Sequence, residues 1–460
     1  MGSSKSFAVF DCDAHINDPL AIWEYVPEAD RELVRATYWR DERQAWLNGT
    51  TRVGGGGSGE YASTGMYNPI CIAGPQMSKK IIRRLISMVP LDEEQRDYLE
   101  HRGTRDPHAR LRDMDLMGID QVLVIPTKVI AHLPFAADPN GASAFCRAYN
   151  DFVFDWCAEA PDRLFPAALL PAQSAELTIR EIRRVAERGF RVGLIRPFDA
   201  RGNYPNDLRP VASALGLGGI VPATFADVYH AFEETELVLG IHTFPAHKPP
   251  AVAGPGLLAS PGELLTHAGA DSQTLSFVYE MQDWLAQILL GGFLDRFPRL
   301  RMAVFESNSQ WLPTMLESCD RYFRLYANER RAVARRLPSE AFSEQCMISF
   351  ESDETPTMRQ WDRFADIGIW ASDCYHHDAA DAWSALRTMD EIGVPPHAQA
   401  QLMGGNAARL YGIEPKLFVT EEPAPLARPA WFPQGAAFDE WARLVAHPRR
   451  NADRLRELEA

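Results

Sequence analysis

Nothing in the 460 residues approaches the run of about 18 apolar positions that a membrane span needs. The opening Met-Gly-Ser-Ser-Lys-Ser leads into no long apolar stretch of the secretory kind. Excess positive charge is also lacking: 47 Lys and Arg stand against 62 Asp and Glu, a net charge of −15. That balance argues against a nucleic-acid partner, because binders of a phosphate backbone concentrate basic residues. The local cluster Lys79-Lys80 with Arg83-Arg84 reads as a solvated helix face. The seven cysteines form no CxxC pair and no zinc-finger spacing, so neither a disulfide framework nor a structural zinc knuckle is expected. Cys12 and Cys374 read as small buried residues. No internal repeat or heptad series is present. These absences leave a soluble, cytoplasmic globular protein with no nucleic acid or membrane partner as the expectation. An apolar content of 46% is ample for a large core.

What the sequence does have is alternation. Short apolar runs alternate with longer segments of helical apolar spacing, the pattern of βα units around a parallel sheet. Strands are expected at about 7–12, 119–125, 164–170, 190–196, 237–242, 301–306, 346–350 and 367–372. Leu111 to Met117, Thr178 to Arg188 and Trp383 to Ile392 read as helices, the last stopped by Gly393 with Pro395 and Pro396 beyond. Eight such strands close into a (β/α)8 TIM barrel, distorted here by a long insertion of about 20–110 after the first strand. Within it, Val53-Gly-Gly-Gly-Gly-Ser-Gly59 is flanked by Trp39, Trp46, Tyr61 and Tyr67 and reads as a surface loop or a lid hinge over the barrel mouth. It lacks the Gly-Lys-[Ser/Thr] ending of a phosphate loop. The barrel is expected over 1–413, and 414–460 form a Pro-rich linker (Pro415 to Pro433) and a helical tail of about 436–458. Trp431 and Trp441 suggest that the tail docks on the barrel or on a second subunit of a homodimer.

Three of the strand-like runs deliver metal-type ligands at their carboxyl ends. The first runs into Asp13-x-His15, whose side chains share one side of an extended chain because a strand's period is two. The fifth ends at His242, after residues that are otherwise apolar or glycine, and the eighth at Asp373. Two carboxylates and two imidazoles suit one divalent ion per chain, zinc foremost, with manganese or iron also accommodated. Catalytic groups of a barrel gather at these same strand ends. Arg196 ends the fourth strand, where its guanidinium either grips a substrate carboxylate or polarised carbonyl, or holds Glu306 or Asp199. His376 and His377 follow Asp373, and one of them is expected to orient that carboxylate or take a proton. His132 and His267 are candidates for the pocket wall. Trp39, Trp46, Phe198 and Phe244 are candidate aromatic walls for a planar substrate.

Six elements occur in order: Asp11-Cys-Asp-Ala-His15, Ile241-His-Thr243, Gly292-Phe-Leu-Asp-Arg-Phe-Pro-Arg-Leu-Arg301, Trp311-Leu-Pro313, Ala371-Ser-Asp373 with His376, and Gly404-Gly-Asn-Ala-Ala-Arg-Leu-Tyr-Gly412. Over roughly 7–413 this series resembles the amidohydrolase-related branch of the amidohydrolase superfamily, which includes aminocarboxymuconate-semialdehyde decarboxylase and γ-resorcylate decarboxylase. The resemblance implies that the metal ligands are Asp13, His15, His242 and Asp373. Two departures stand out. The family's usual Ser-Asp-Tyr-Pro-His reads Ser372-Asp-Cys-Tyr-His376, and its Gly-His-x-Gly-Glu after the sixth strand reads Phe305-Glu-Ser-Asn-Ser309. Glu306 thus falls where the decarboxylases carry a His, either as a base toward water, as a further ligand, or as a buried Glu paired to Arg301 or another Arg. The leading expectation is a metal-dependent hydrolase acting through metal-activated water on a small carbonyl compound (amide, ester, lactone or C–C bond), with Asp373 as proton acceptor and Arg196 and Glu306 positioning the substrate. The alternative is a non-oxidative decarboxylase of an aromatic or enol carboxylic acid. A third reading is an inactive barrel serving as a scaffold.

Overall fold

The computed structural model describes residues 3–16, 20–37, 92, 95, 102–127, 129–133, 136, 138–197, 225–243, 274, 277–330, 334–376, 379–424, 430–431, 435–445 and 451–459. Eight parallel strands run in chain order around one sheet. They are β1 (Phe10–Ile16), β2 (Gln121–Pro126), β3 (Leu164–Leu169), β4 (Val192–Ile195), β5 (Val238–His242), β6 (Met302–Phe305), β7 (Cys346–Glu351) and β8 (Gly368–Ala371). Nearly every strand residue is buried, as expected of a parallel sheet covered by helices on one face and filled on the other. The ring closes between β8 and β1. Ala14 bridges Cys374, the Asp373 amide donates to the Asp13 carbonyl (3.0 Å), and the His15 amide donates to the Cys374 carbonyl (2.6 Å). The chain therefore forms the expected (β/α)8 barrel. The main boundary difference is at β1, which continues through Asp13 and His15 to Ile16 with an irregular register between Asp11 and Ala14.

Local sequence explains the helices that position the site. Asp106 caps the helix Pro107–Met117, accepting from the amides of His108 and Ala109, and Gly118 ends it at φ 75°. Asp381 and Gly393 (φ 85°) bound Ala382–Ile392 in the same way, and Ser174 caps Ala175–Glu187. Interior glycines make room where the barrel is crowded: a Cβ on Gly240 would lie 2.7 Å from Leu194 Cδ2. The tail is two helices, Ala436–Val445 and Ala452–Glu459, where the sequence suggested one stretch. Trp441 is buried and stacks on Phe438 (ring centroids 5.6 Å apart).

The opposite end of the barrel is laced by the segment before β1 and the segment that follows Ile413. Asp120 accepts from Lys5 Nζ, from the Val9 amide (2.7 Å) and from the amides of Phe418 (2.6 Å) and Val419 (2.8 Å). Ser4 pairs antiparallel with Glu421, and the Lys5 amide reaches the Thr420 carbonyl (2.9 Å). No described helix is long and apolar enough to cross a membrane.

Candidate metal centre

Asp13 and His15 project from β1, His242 from the last position of β5, and Asp373 from just past β8. Ligand atoms of Asp13, His15 and His242 lie within 4.8 Å of one another, as do those of His15, Asp373 and His376. His15 Nε2 stands 3.1 Å from Asp13 Oδ1 and 3.3 Å from Asp373 Oδ1, and His242 Nε2 is 3.5 Å from Asp13 Oδ2. All four side chains are at most 2% exposed.

Two observations indicate that these groups fit a cation. Asp13 Oδ1, His15 Nε2, His242 Nε2 and Asp373 Oδ1 are buried, and none makes a hydrogen bond with the described residues. Such orphaned polar atoms are costly unless a ligand satisfies them. Each imidazole also turns its other nitrogen to a backbone carbonyl, His15 Nδ1 to Pro126 O (3.2 Å) and His242 Nδ1 to Thr243 O (2.6 Å). That arrangement leaves Nε2 with its lone pair toward the cluster, as histidine ligands require. Burial pushes the Asp13 carboxyl up, but the flanking imidazoles of His242 and His15 outweigh it and hold it below the ordinary value. Burial likewise opposes a charge on His15, yet Asp13 and Asp373 raise it to about 10. Asp373 is lowered in spite of burial, by His376 and His15. Without an ion, protonated imidazole balances the carboxylates, and a divalent cation would take the place of those protons.

Further residues fix this cluster. Asp11 accepts from the Ser372 amide (2.9 Å), the Ser372 hydroxyl and the Asp13 amide (3.2 Å), which clamps the closing seam. Burial raises the Asp11 carboxyl to about 7, against these bonds. Glu306 follows β6 with its carboxylate 3.5 Å from His242 Nε2 and 3.9 Å from His376 Nδ1. His376 Nδ1 lies 2.7 Å from Asp373 Oδ1, and its ring packs on His15 with centroids 4.2 Å apart. Glu306, Asn308 and Asp373 have φ of 47°, 51° and 51°, strained for non-glycine residues. Such strain costs about 1–3 kcal/mol each and persists only where neighbours over-determine it. For Glu306 the neighbours are the Ser349 hydroxyl, which accepts from its amide (3.2 Å), and the Thr243 hydroxyl, which donates to its carbonyl (2.7 Å). Buried Glu354, its carboxyl raised by burial, accepts from the amide and hydroxyl of Ser309 (2.8 Å each) and ties the β6 loop to β7.

The structure thus gathers Asp13, His15, His242, Asp373, Glu306 and His376. Glu306 does not pair with Arg301, whose guanidinium holds the Leu410 and Glu236 carbonyls. Arg196 follows β4, whose Ile195 is level with Ile241 of β5, and it forms a buried ion pair with Glu280 (2.9 Å). The sequence did not point to Glu280, which belongs to a helix, Phe277–Leu290, about 80 residues away that no local signal links to β4; Asp199 lies outside the described residues. Ser349 and Glu354 were equally unmarked, since a Ser or Glu beside a strand end carries no distinctive spacing, and Thr243 stood in a motif that gave it no role. His132 ends a short helix, Val129–His132. Trp39, Trp46, Phe198, Phe244, His267, His377, the glycine run 53–59 and the basic cluster 79–84 lie outside the described residues.

A β/α barrel with carboxylate and imidazole donors converging at its strand ends defines a class of metal-dependent barrel. The family model described as amidohydrolase matches residues 10–413, and the chain belongs to that family. Over 107 residues it is 31% identical to γ-resorcylate decarboxylase of Rhizobium radiobacter, a stretch that is 23% of this chain and 32% of that protein. The match therefore spans about a third of the curated relative. In fold, the chain is similar to 5-carboxyvanillate decarboxylase from Novosphingobium aromaticivorans, solved with manganese and 3-methoxy-4-hydroxy-5-nitrobenzoic acid. The TM-score is 0.58 and the identity 19%, over 89% of this chain and 100% of that one. It is also similar to an amidohydrolase from Mycobacterium avium subsp. paratuberculosis, with TM-score 0.60 and 16% identity over 89% and 100% of the two chains.

Proposed function

We propose that this protein is a metal-dependent, non-oxidative decarboxylase of a hydroxy-substituted aromatic carboxylic acid. The observation that carries the reading is the convergence of four orphaned, buried donor atoms from Asp13, His15, His242 and Asp373. The names of the relatives, decarboxylases of small aromatic acids, direct it from hydrolysis, which the sequence favoured, to loss of CO2. The donor set accepts zinc or manganese. When bound, a divalent ion would neutralise the substrate carboxylate and its neighbouring hydroxyl and draw charge from the ring. Asp373, 2.7 Å from His376 Nδ1, passes a proton from that imidazole to the ring carbon. The bond from that carbon to the carboxylate then breaks, CO2 leaves, and the bonding pair restores the aromatic ring. Arg196, fixed by Glu280, serves to orient the substrate at the β4 rim.

One feature favours hydrolysis as a second reading. Glu306, placed beside His242 and His376, is a carboxylate suited to take a proton from water. Metal content and CO2 release separate the two. The expected result is about one divalent ion per chain, lost in His242→Ala and Asp373→Asn, with CO2 released from a hydroxybenzoate and turnover reduced at least about 100-fold in Asp373→Asn. Hydrolysis of a lactone or ester panel with no CO2 from any aromatic acid would overturn decarboxylation in favour of the second reading.

A further inference from the structure

The core-facing stripe of the helix Pro107–Met117 contains a residue that an apolar pattern would not place there. Arg110, Met114 and Met117 recur at helical spacing and all are buried, with Arg110 0% exposed. Among the described residues this cation has no carboxylate within ion-pair distance, an expensive arrangement unless it accomplishes something else. Two of its contacts, to His15 and Tyr375, lie at the closing seam of the barrel. Nε donates to the Gly103 carbonyl (3.0 Å), and Nη2 donates to the carbonyl of His15 itself. Its guanidinium carbon lies 4.6 Å from the centre of the Tyr375 ring and 5.7 Å from that of Trp156. Tyr375 sits between Cys374, whose carbonyl accepts from the His15 amide, and His376, and its hydroxyl donates to Asp113 Oδ2 (2.6 Å) one turn along the same helix.

We infer that Arg110 is a positioning residue for the metal centre. It grips the backbone of one donor residue, His15, and clamps the turn that bears Asp373 and His376, and so sets the spacing between the two halves of the cluster. A planar fork is needed for this, since one face stacks on Tyr375 while the edge donates to two carbonyls. A lysine supplies the charge but neither the flat face nor the fork. The inference rests on the metal-site reading above.

The test is the affinity of stripped protein for Mn²⁺ and Zn²⁺, measured by competition with a fluorescent chelator well below the thermal transition. Arg110→Lys and Arg110→Met should each weaken binding at least tenfold, and Tyr375→Leu, which removes the stacking face and the hydroxyl bond to Asp113, by less. Lys5→Met removes a buried cation from the opposite end of the barrel and should lower the melting temperature without changing metal affinity. Wild-type affinity in Arg110→Lys, or an equal loss in Lys5→Met, overturns the positioning role. Should the Arg110 variants not fold, unchanged affinity in Tyr375→Leu does the same. Wild-type protein that takes up neither ion overturns the metal-site reading itself, and the inference with it.

Discussion

Glu306 is the residue that separates the two proposed readings of this barrel's chemistry. Its strained backbone is pinned by Thr243 and Ser349, and its carboxylate faces two imidazoles of the cluster. A residue held this firmly, next to the proposed ion yet outside the set of four orphaned atoms, fits a proton carrier or substrate contact better than a ligand. Glu306→Gln keeps the shape and removes the base. We expect it to retain about one ion per chain by plasma mass spectrometry while turnover falls roughly 10²–10⁴-fold. Loss of the metal in that variant would instead make Glu306 a ligand. Asp373 and His15 were legible because each stands in a short motif next to an apolar run. Glu280 and Arg110 were not, because their partners are distant in sequence and meet only after folding.

Among the elements, the segment Gln401–Gly405 explains the glycine motif after β8. A Cβ on Gly404 would lie 2.2 Å from the Ala8 carbonyl oxygen, so the helical turn presses directly on the chain entering β1. Asn406 then holds the Ala365 and Gly368 carbonyls (2.8 and 2.7 Å) at the start of β8. The motif is therefore a buttress under the β8–β1 seam, at the end away from the metal ligands. Gly404→Ala forces backbone apart and should cost about 1–3 kcal/mol, read as a lower denaturation midpoint. Metal stoichiometry should be unchanged, and a variant as stable as the parent would show that the contact relaxes freely.

At the scale of the whole molecule, the segments 3–9 and 414–422 cover the far side of the barrel. The segment 414–422 contributes backbone bonds to Asp120, Gln121, Lys5 and Ser3, and it covers the buried Lys5–Asp120 pair. Truncation after Pro423 removes the two tail helices with buried Trp441 and serves as the reference. Truncation after Ile413 removes in addition several part-buried hydrogen bonds, worth about 1 kcal/mol each net, and should be less stable than that reference by roughly 3 kcal/mol in denaturant titration. Equal stability of the two truncations would make 414–422 a passive linker.

The sequence by itself determined the eight strands, their order and the residues that deliver donors to one end, because those depend on local apolar runs and on a period of two. It also carried the stop of the helix Ala382–Ile392 at Gly393, since a C-terminal glycine acts on its own last turn. Tertiary structure decided what those donors face. The bulge that carries Asp13 and His15 into the seam, the Arg196–Glu280 pair, the clamp from Arg110 and the strained turn at Glu306 are long-range contacts. Only closing β8 against β1 brings Asp13 and Asp373, 360 residues apart in sequence, into one cluster, and no local propensity encodes that distance.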